Sequence, residues 1–198
     1  MTFLRNNCII WVGGFRMLYI IRHGKTDWNA EYRLQGRTDI PLNEEGRQMA
    51  SKAHDEYEDV HIDICYCSPL IRARETAEIL LQGRDVPIVY DERLLEMAFG
   101  KFEGESNLFS KPHLSIYKLF KDPENYIHEE DGGESFDDLF KRTGDLLKEI
   151  MPAVEQGKDI LIVGHGAMNS AIVSQIRNYP LKDFWKESIE NCVMKRLI

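Results

Sequence analysis

LYIIRHGKTDWN, residues 18–29, decides how the rest of the chain is read. An apolar run rich in β-branched residues ends abruptly at Arg22, His23 and Gly24, and Trp28-Asn29 follows shortly after. The run lacks polar alternation, so it predicts a strand covered on both faces, as in the parallel sheets of α/β proteins. Three more stretches read the same way, and the four predicted strands are 17–22, 63–67 (DICYC), 86–90 (VPIVY) and 159–164 (DILIVG).

Helix signals fall between these runs. Asn43 is placed to cap a helix through the upper 50s, with Glu44 and Glu45 in its first turn. Ser68-Pro69 reads as an N-cap followed by proline at the first helical position, after which Leu70, Ala73, Ala77 and Leu80 form an apolar stripe. The longest amphipathic pattern starts at Ser135, with Asp138 answering from the third position and Phe136, Leu139, Phe140, Thr143, Leu147, Ile150 and Val154 at helical spacing. A further helix is expected just after His165. Strand alternating with helix implies a three-layer α/β/α sandwich around a mostly parallel sheet, with right-handed crossovers. Residues 101–134, with Asp122-Pro123 and Gly132-Gly133, break the alternation and are expected to form an irregular, cap-like excursion over the sheet edge.

Composition bounds the function. The 198 residues are 43% hydrophobic and 29% charged, which suits a single compact domain over 17–198. A formal net charge of −8 argues against general affinity for nucleic acid or anionic membrane, so an anionic ligand must meet a local positive cluster. Cys8, Cys65, Cys67 and Cys192 have no zinc-type spacing and read as reduced, packed thiols. No apolar run is long enough to span a membrane, and the short CIIWV at 8–12 lacks a cleavage pattern behind it, so a cytoplasmic location is expected. Met17 stands directly before the first strand. Residues 1–16 are therefore expected to be an N-terminal extension upstream of the natural start, which the intact mass of protein made from its native gene would test.

Three strand and helix ends carry the chemistry. Arg22 and His23 close the first strand, Arg72 lies in the first turn of the helix after the second, and His165 closes ILIVG. Ligands of open α/β sheets bind beyond the carboxyl ends of the strands, where such groups converge. Guanidinium forks and helix N-termini match phosphate oxygens, and a neutral imidazole can attack phosphorus to give a phosphohistidine. Gly24 and Gly166 let the backbone approach the ligand closely. Taken singly, each residue has a plainer explanation: His23 as a satisfied strand-end histidine, Arg72 as a solvated helix residue, Lys25 and Asp27 as a surface pair, Glu134 as charge at a helix start.

The ordered set resembles a known family. Arg22-His23-Gly24-Lys25-Thr26-Asp27-Trp28-Asn29 is similar to the RHG signature of the histidine phosphatase superfamily, the phosphoglycerate mutase-like proteins. The resemblance continues through Gln35-Gly36-Arg37, Pro41 to Gly46, Ser68 to Ala73, Leu95-Glu96, Gly100 to Gly104, Gly133-Glu134-Ser135 and Gly164-His165-Gly166, and covers nearly everything from Met17 on. It implies the phosphoglycerate mutase-like fold, with His23 as nucleophile and Arg22, Arg72, His165 and Asn29 binding phosphoryl oxygens with help around Gln35 and Gly36. It further implies Glu96 as the acid that protonates the leaving alkoxide and then activates water, with no metal and no cofactor.

The pattern departs from the family's commonest form at Lys25, where glutamate or glutamine is frequent, and at Ala167-Met168-Asn169. In cofactor-dependent mutases of the family, a histidine-tyrosine-glycine run follows the catalytic glutamate and an insertion carries paired arginines. Here Met97-Ala98-Phe99-Gly100 follows Glu96, and the stretch to Gly133 has no paired arginines. The expected activity is hydrolysis of a small-molecule phosphate ester. Mutase-type phosphoryl transfer and a catalytically silent phospholigand-binding protein are the alternatives. The organic part of the substrate is expected to meet residues of 101–130, among them Phe102, Asn107, Phe109, Tyr117, Phe120 and Tyr126, although most of these are also natural core residues. Oligomeric state is not legible.

Overall fold

The computed structural model describes residues 17–198 except Glu130, with the side chain of Phe109 also outside the description. The proposed 1–16 extension, including Cys8, lies outside the described residues. Five strands form one sheet in the order β3-β2-β4-β1-β5, where β1 is Leu18–Arg22, β2 Ile64–Cys67, β3 Ile88–Tyr90, β4 Ile160–Gly164 and β5 Met194–Arg196. The first four are mutually parallel, as their unbroken apolar character predicts. β5 is antiparallel to β1 at the sheet edge, and sequence reading missed it.

Side-chain alternation along the strands builds two cores. Leu18, Ile20, Ile160 and Ile162 face the helices α5 (Phe136–Glu155) and α6 (Gly166–Arg177). Ile21, Cys65, Cys67, Leu161 and Val163 face α2 (Glu44–Glu56) and α3 (Ile71–Leu80). A three-layer α/β/α sandwich results. Cys65, Cys67 and Cys192 are free and buried, and burial pushes their thiols up.

Local side-chain caps hold the starts of α2 and α5. Asn43 accepts from the Gly46 N–H at 2.8 Å, and Ser135 accepts from the Asp138 N–H at 2.9 Å. The start of α3 differs from expectation. Ser68 does not cap it: the helix begins at Ile71, whose N–H donates to Asp39 Oδ1 at 2.7 Å from a distant loop. The Ser68 hydroxyl is engaged instead by His165, 2.7 Å away.

The excursion is partly helical, with short 3-10 turns and one α-helix, α4 (Ser115–Lys121). Phe102 is buried in the core, and Tyr126 meets Phe136 edge-on at 5.9 Å between ring centroids, while Phe120 both packs on the core and lines an opening. No helix among the described residues is long and apolar enough to cross a membrane.

Candidate active site

The parallel register of β1 and β4 assembles the centre. Arg22 lies opposite Gly164, so the next residue on each strand is a histidine at the same sheet end. The His23 N–H donates to the Gly164 carbonyl at 3.0 Å, and the two imidazole rings lie 5.2 Å apart. Asn191 holds the His23 carbonyl through its amide at 2.6 Å, fixing the residue from the other edge of β1.

His23 is 2% exposed, and its Nδ1 lies 2.6 Å from the Gly24 carbonyl. Only a protonated Nδ1 can donate there, which leaves Nε2 as the unprotonated, nucleophilic nitrogen. Burial, then Arg72 and Arg22, push the His23 pKa well down, so the ring is neutral near pH 7. Gly24 is required where it stands, because an added Cβ would lie 2.5 Å from the Gly46 carbonyl oxygen. Gly166 is not so constrained, since the nearest atom to its added Cβ is Glu96 Oε2 at 3.5 Å.

Arg72 is fully buried and held at every nitrogen. Nη1 donates to Thr38 O at 2.9 Å, Nη2 to Gly36 O at 2.7 Å, and Nε to His165 Nδ1 at 3.2 Å. Desolvation brings its pKa down to about 10, partly offset by Glu96 and Asp39, so it remains a cation near neutrality. Since His165 Nδ1 accepts, its Nε2–H donates to Ser68, and burial followed by Arg72 depresses its pKa well below the usual value. Both ring nitrogens of His165 are thus engaged by protein groups, Nδ1 by Arg72 and Nε2 by Ser68.

The loop carrying those carbonyls is clamped by Glu103, a member of the Gly100 to Gly104 motif to which sequence reading gave no role. The Glu103 carboxylate accepts from the N–H groups of Arg37, Thr38 and Phe99 at 3.1, 3.0 and 3.1 Å and from the Thr38 hydroxyl at 2.7 Å. Gly36, at φ +56°, packs so closely on this carboxylate that a Cβ would fall 2.2 Å from Oε1. Glu134 adds a buttress: it pairs with Arg37 at 3.1 Å and Arg142 at 2.7 Å, and Arg37 reaches back to the Glu96 carbonyl at 3.3 Å.

Arg22, His23, Asn29, Gln35, Gly36, Arg72 and Glu96 all line one cavity of about 250 Å³. Asn29 Oδ1 is used by the Thr26 N–H and hydroxyl, each at 3.1 Å, in the capping box of the short helix α1 (Asp27–Ala30), and these bonds leave its Nδ2 donors unused. Gln35 Oε1 and Arg22 Nε are buried without protein partners, the kind of orphaned polar atom that ligand sites carry. Glu96 is 7% exposed: Oε1 accepts from Met97 and Met168 N–H at 2.8 and 3.0 Å and Oε2 from Ala167 N–H at 3.2 Å, seating the carboxylate on the N-terminus of α6. Lys25 pairs with Glu45 at 2.5 Å rather than with Asp27, and Asn169 is buried, its amide donating to Ile21 O at 3.2 Å. Among the described residues, the one cluster with metal-ligand spacing, His61, Asp63 and Asp159, precedes β2 and β4 at the opposite sheet end.

A sequence profile described as histidine phosphatase superfamily (branch 1) matches residues 18–198. The chain belongs to the histidine phosphatase superfamily. Within it, the chain is 32% identical over 189 residues to a probable phosphoglycerate mutase GpmB of Shigella boydii, covering 91% of this chain and 83% of that one. Among solved structures, YhfR of Bacillus stearothermophilus superposes with a TM-score of 0.82 at 33% identity, covering 91% of this chain and 89% of that one. The α-ribazole phosphatase of Shigella flexneri gives 0.78 at 26% identity with the same coverage. This superfamily member is thus an enzyme of phosphatase or mutase type, built on the family's sheet and helices.

Proposed function

We propose that the protein hydrolyses a small phosphorylated metabolite through a phosphohistidine at His23, with water as the final acceptor. The observation that carries this reading is the Nδ1 contact to Gly24, which leaves a neutral Nε2 beside two guanidiniums. Nε2 forms an N–P bond as the ester P–O bond breaks, and the departing alkoxide takes a proton from Glu96. Water then gives a proton back to Glu96 and attacks phosphorus, and the N–P bond breaks to release phosphate. Arg22 and Arg72, with Asn29 and the Gln35-Gly36 backbone, hold the phosphoryl oxygens where negative charge spreads, which is the main demand of phosphoryl transfer. Proton transfer by Glu96 supplies a further ~10²- to 10⁴-fold. His165 keeps Arg72 in position.

Phosphate release from a panel of metabolite phosphomonoesters, with EDTA present, tests the reading. Turnover is expected to resist the chelator and to vanish in His23→Ala, and wild-type enzyme quenched in turnover should carry acid-labile phosphate. Equal turnover by His23→Ala would sink the scheme. The name of the 32% identical relative favours a second reading, transfer to another hydroxyl. Efficient interconversion of 2- and 3-phosphoglycerate with a bisphosphoglycerate primer would replace hydrolysis by it.

A further inference from the structure

A second cavity of about 270 Å³ adjoins the first and shares Arg22, Asn29, Arg33, Leu34 and Phe120 with it. Beyond that common throat its added walls are Trp28, Tyr32 and Leu108. Two segments far apart in sequence form it. Leu34 exchanges backbone hydrogen bonds with the excursion, its N–H to Glu105 O at 3.0 Å and its carbonyl from Gly104 N at 2.7 Å, and Arg33 bridges to Ser106. Leu108 and Phe120 then complete the wall from the excursion side.

The lining is chemically one-sided. Arg33 is already committed: its guanidinium covers the Trp28 ring at 4.4 Å, Nε donates to Gly104 O at 2.6 Å and Nη1 to Glu31 at 3.2 Å. The walls past the throat are two aromatic rings and a leucine, with no carboxylate or amide to read the hydroxyls of a sugar. Tyr32 is 83% exposed and sits at φ +54°, a left-handed conformation that is costly for a bulky residue and that over-determined functional sites tend to hold. It is held there by its N–H to the Asn29 carbonyl at 3.2 Å, so the residue that lines the phosphoryl cavity also sets the ring beside it.

We infer that this second cavity is the leaving-group subsite and that it takes a flat, apolar ring carried by the ester, with Tyr32 determining specificity. The inference rests on the proposed phosphomonoesterase reading. A phosphoryl group among Arg22, Asn29 and Arg72 directs the ester oxygen's substituent through the throat, where Phe120 and Leu34 flank it and Tyr32 stands over it. Neither Trp28 nor Tyr32 belongs to the excursion expected from sequence to set specificity. Only Leu108 and Phe120 come from there.

Matched alkyl phosphates separate this subsite from the chemistry. 2-Phenylethyl phosphate and ethyl phosphate release alkoxides of similar basicity, so their kcat/KM ratio reports what surrounds the ring. Wild-type enzyme is expected to favour the phenyl ester about tenfold or more, the scale of discrimination an apolar pocket gives. Tyr32→Ala, at an exposed position whose change does not open the core, should cut that ratio severalfold. A wild-type ratio near one, or a high ratio that Tyr32→Ala leaves untouched, would overturn the subsite while leaving the phosphatase reading intact. Absence of turnover on both esters, and on the metabolite panel, would overturn the phosphatase reading and the subsite with it.

Discussion

Two neutral, buried histidines side by side make the fold acid-sensitive by an amount that can be worked out. Burial together with Arg22 and Arg72 keeps the His23 and His165 pKa values well below their ordinary 6.5. Arg142 and His23 also act on His165, and Glu96 faces the same cluster. In the unfolded chain both imidazoles titrate near the ordinary value, so below it the unfolded state binds protons that the folded state refuses. Stability contributed by the pair is thus full above pH 6.5 and is lost as pH falls toward the folded values. Between pH 7.5 and 5.5 each histidine removes on the order of 1 kcal/mol, and the two together on the order of 2–3 kcal/mol, a large part of a typical folding free energy. Urea unfolding in phosphate-free buffers at pH 7.5, 6.5 and 5.5 reads this directly. His23→Asn and His165→Asn should each shrink the pH-dependent loss by about half, whatever they do to stability at pH 7.5. A wild-type stability that stays flat over that range, or single variants as pH-sensitive as the wild type, would refute the assignment of neutral imidazoles.

The remaining predictions concern positioning and capping. Glu103→Ala removes the acceptor for four hydrogen bonds and frees the loop whose carbonyls hold Arg72, so kcat/KM should fall by up to about 10²-fold, with Glu103→Gln intermediate; wild-type kinetics in Glu103→Ala would refute the clamp. Ser135→Ala deletes the cap of α5 and should cost about 1 kcal/mol in urea unfolding with little change in turnover, and no loss of stability would show the cap to be idle.

Legibility followed how local each signal was. β4 was visible because burial on both faces writes an unbroken apolar run, every residue from Ile160 to Gly164 being buried, whereas β3 reads as an apolar run although it is an edge strand with Val89 and Tyr90 exposed. Helix α5 was visible because its cap and stripe are consecutive in sequence. β5 was not, since Met194–Arg196 is a short, charged edge segment whose strand character comes from pairing with β1. The cap of α3 escaped for a related reason: Asp39 supplies it from 32 residues away, and the local serine that looked like a cap is turned to His165. Arg22, His23, Asn29, Gln35, Gly36, Arg72 and Glu96 were legible as motif members, and Glu103 stood in the Gly100 to Gly104 motif without a role, whereas Thr76, which accepts from the Gly24 N–H at 3.0 Å, and Asn191 were not legible, because holding a backbone in place leaves no type-specific mark.

The ladder pairing Arg22 with Gly164 also makes catalysis a late event in the life of the chain. His23, the proposed nucleophile, emerges early during synthesis, but the carbonyl that receives its N–H, the histidine behind Arg72 and the helix end that seats Glu96 all arrive with β4 and α6 near the far terminus. Contacts so distant in sequence carry a loop-closure cost that slows folding. Incomplete chains therefore carry a histidine and an arginine without the geometry to use them, so phosphoryl-transfer activity would report that these long-range contacts have closed.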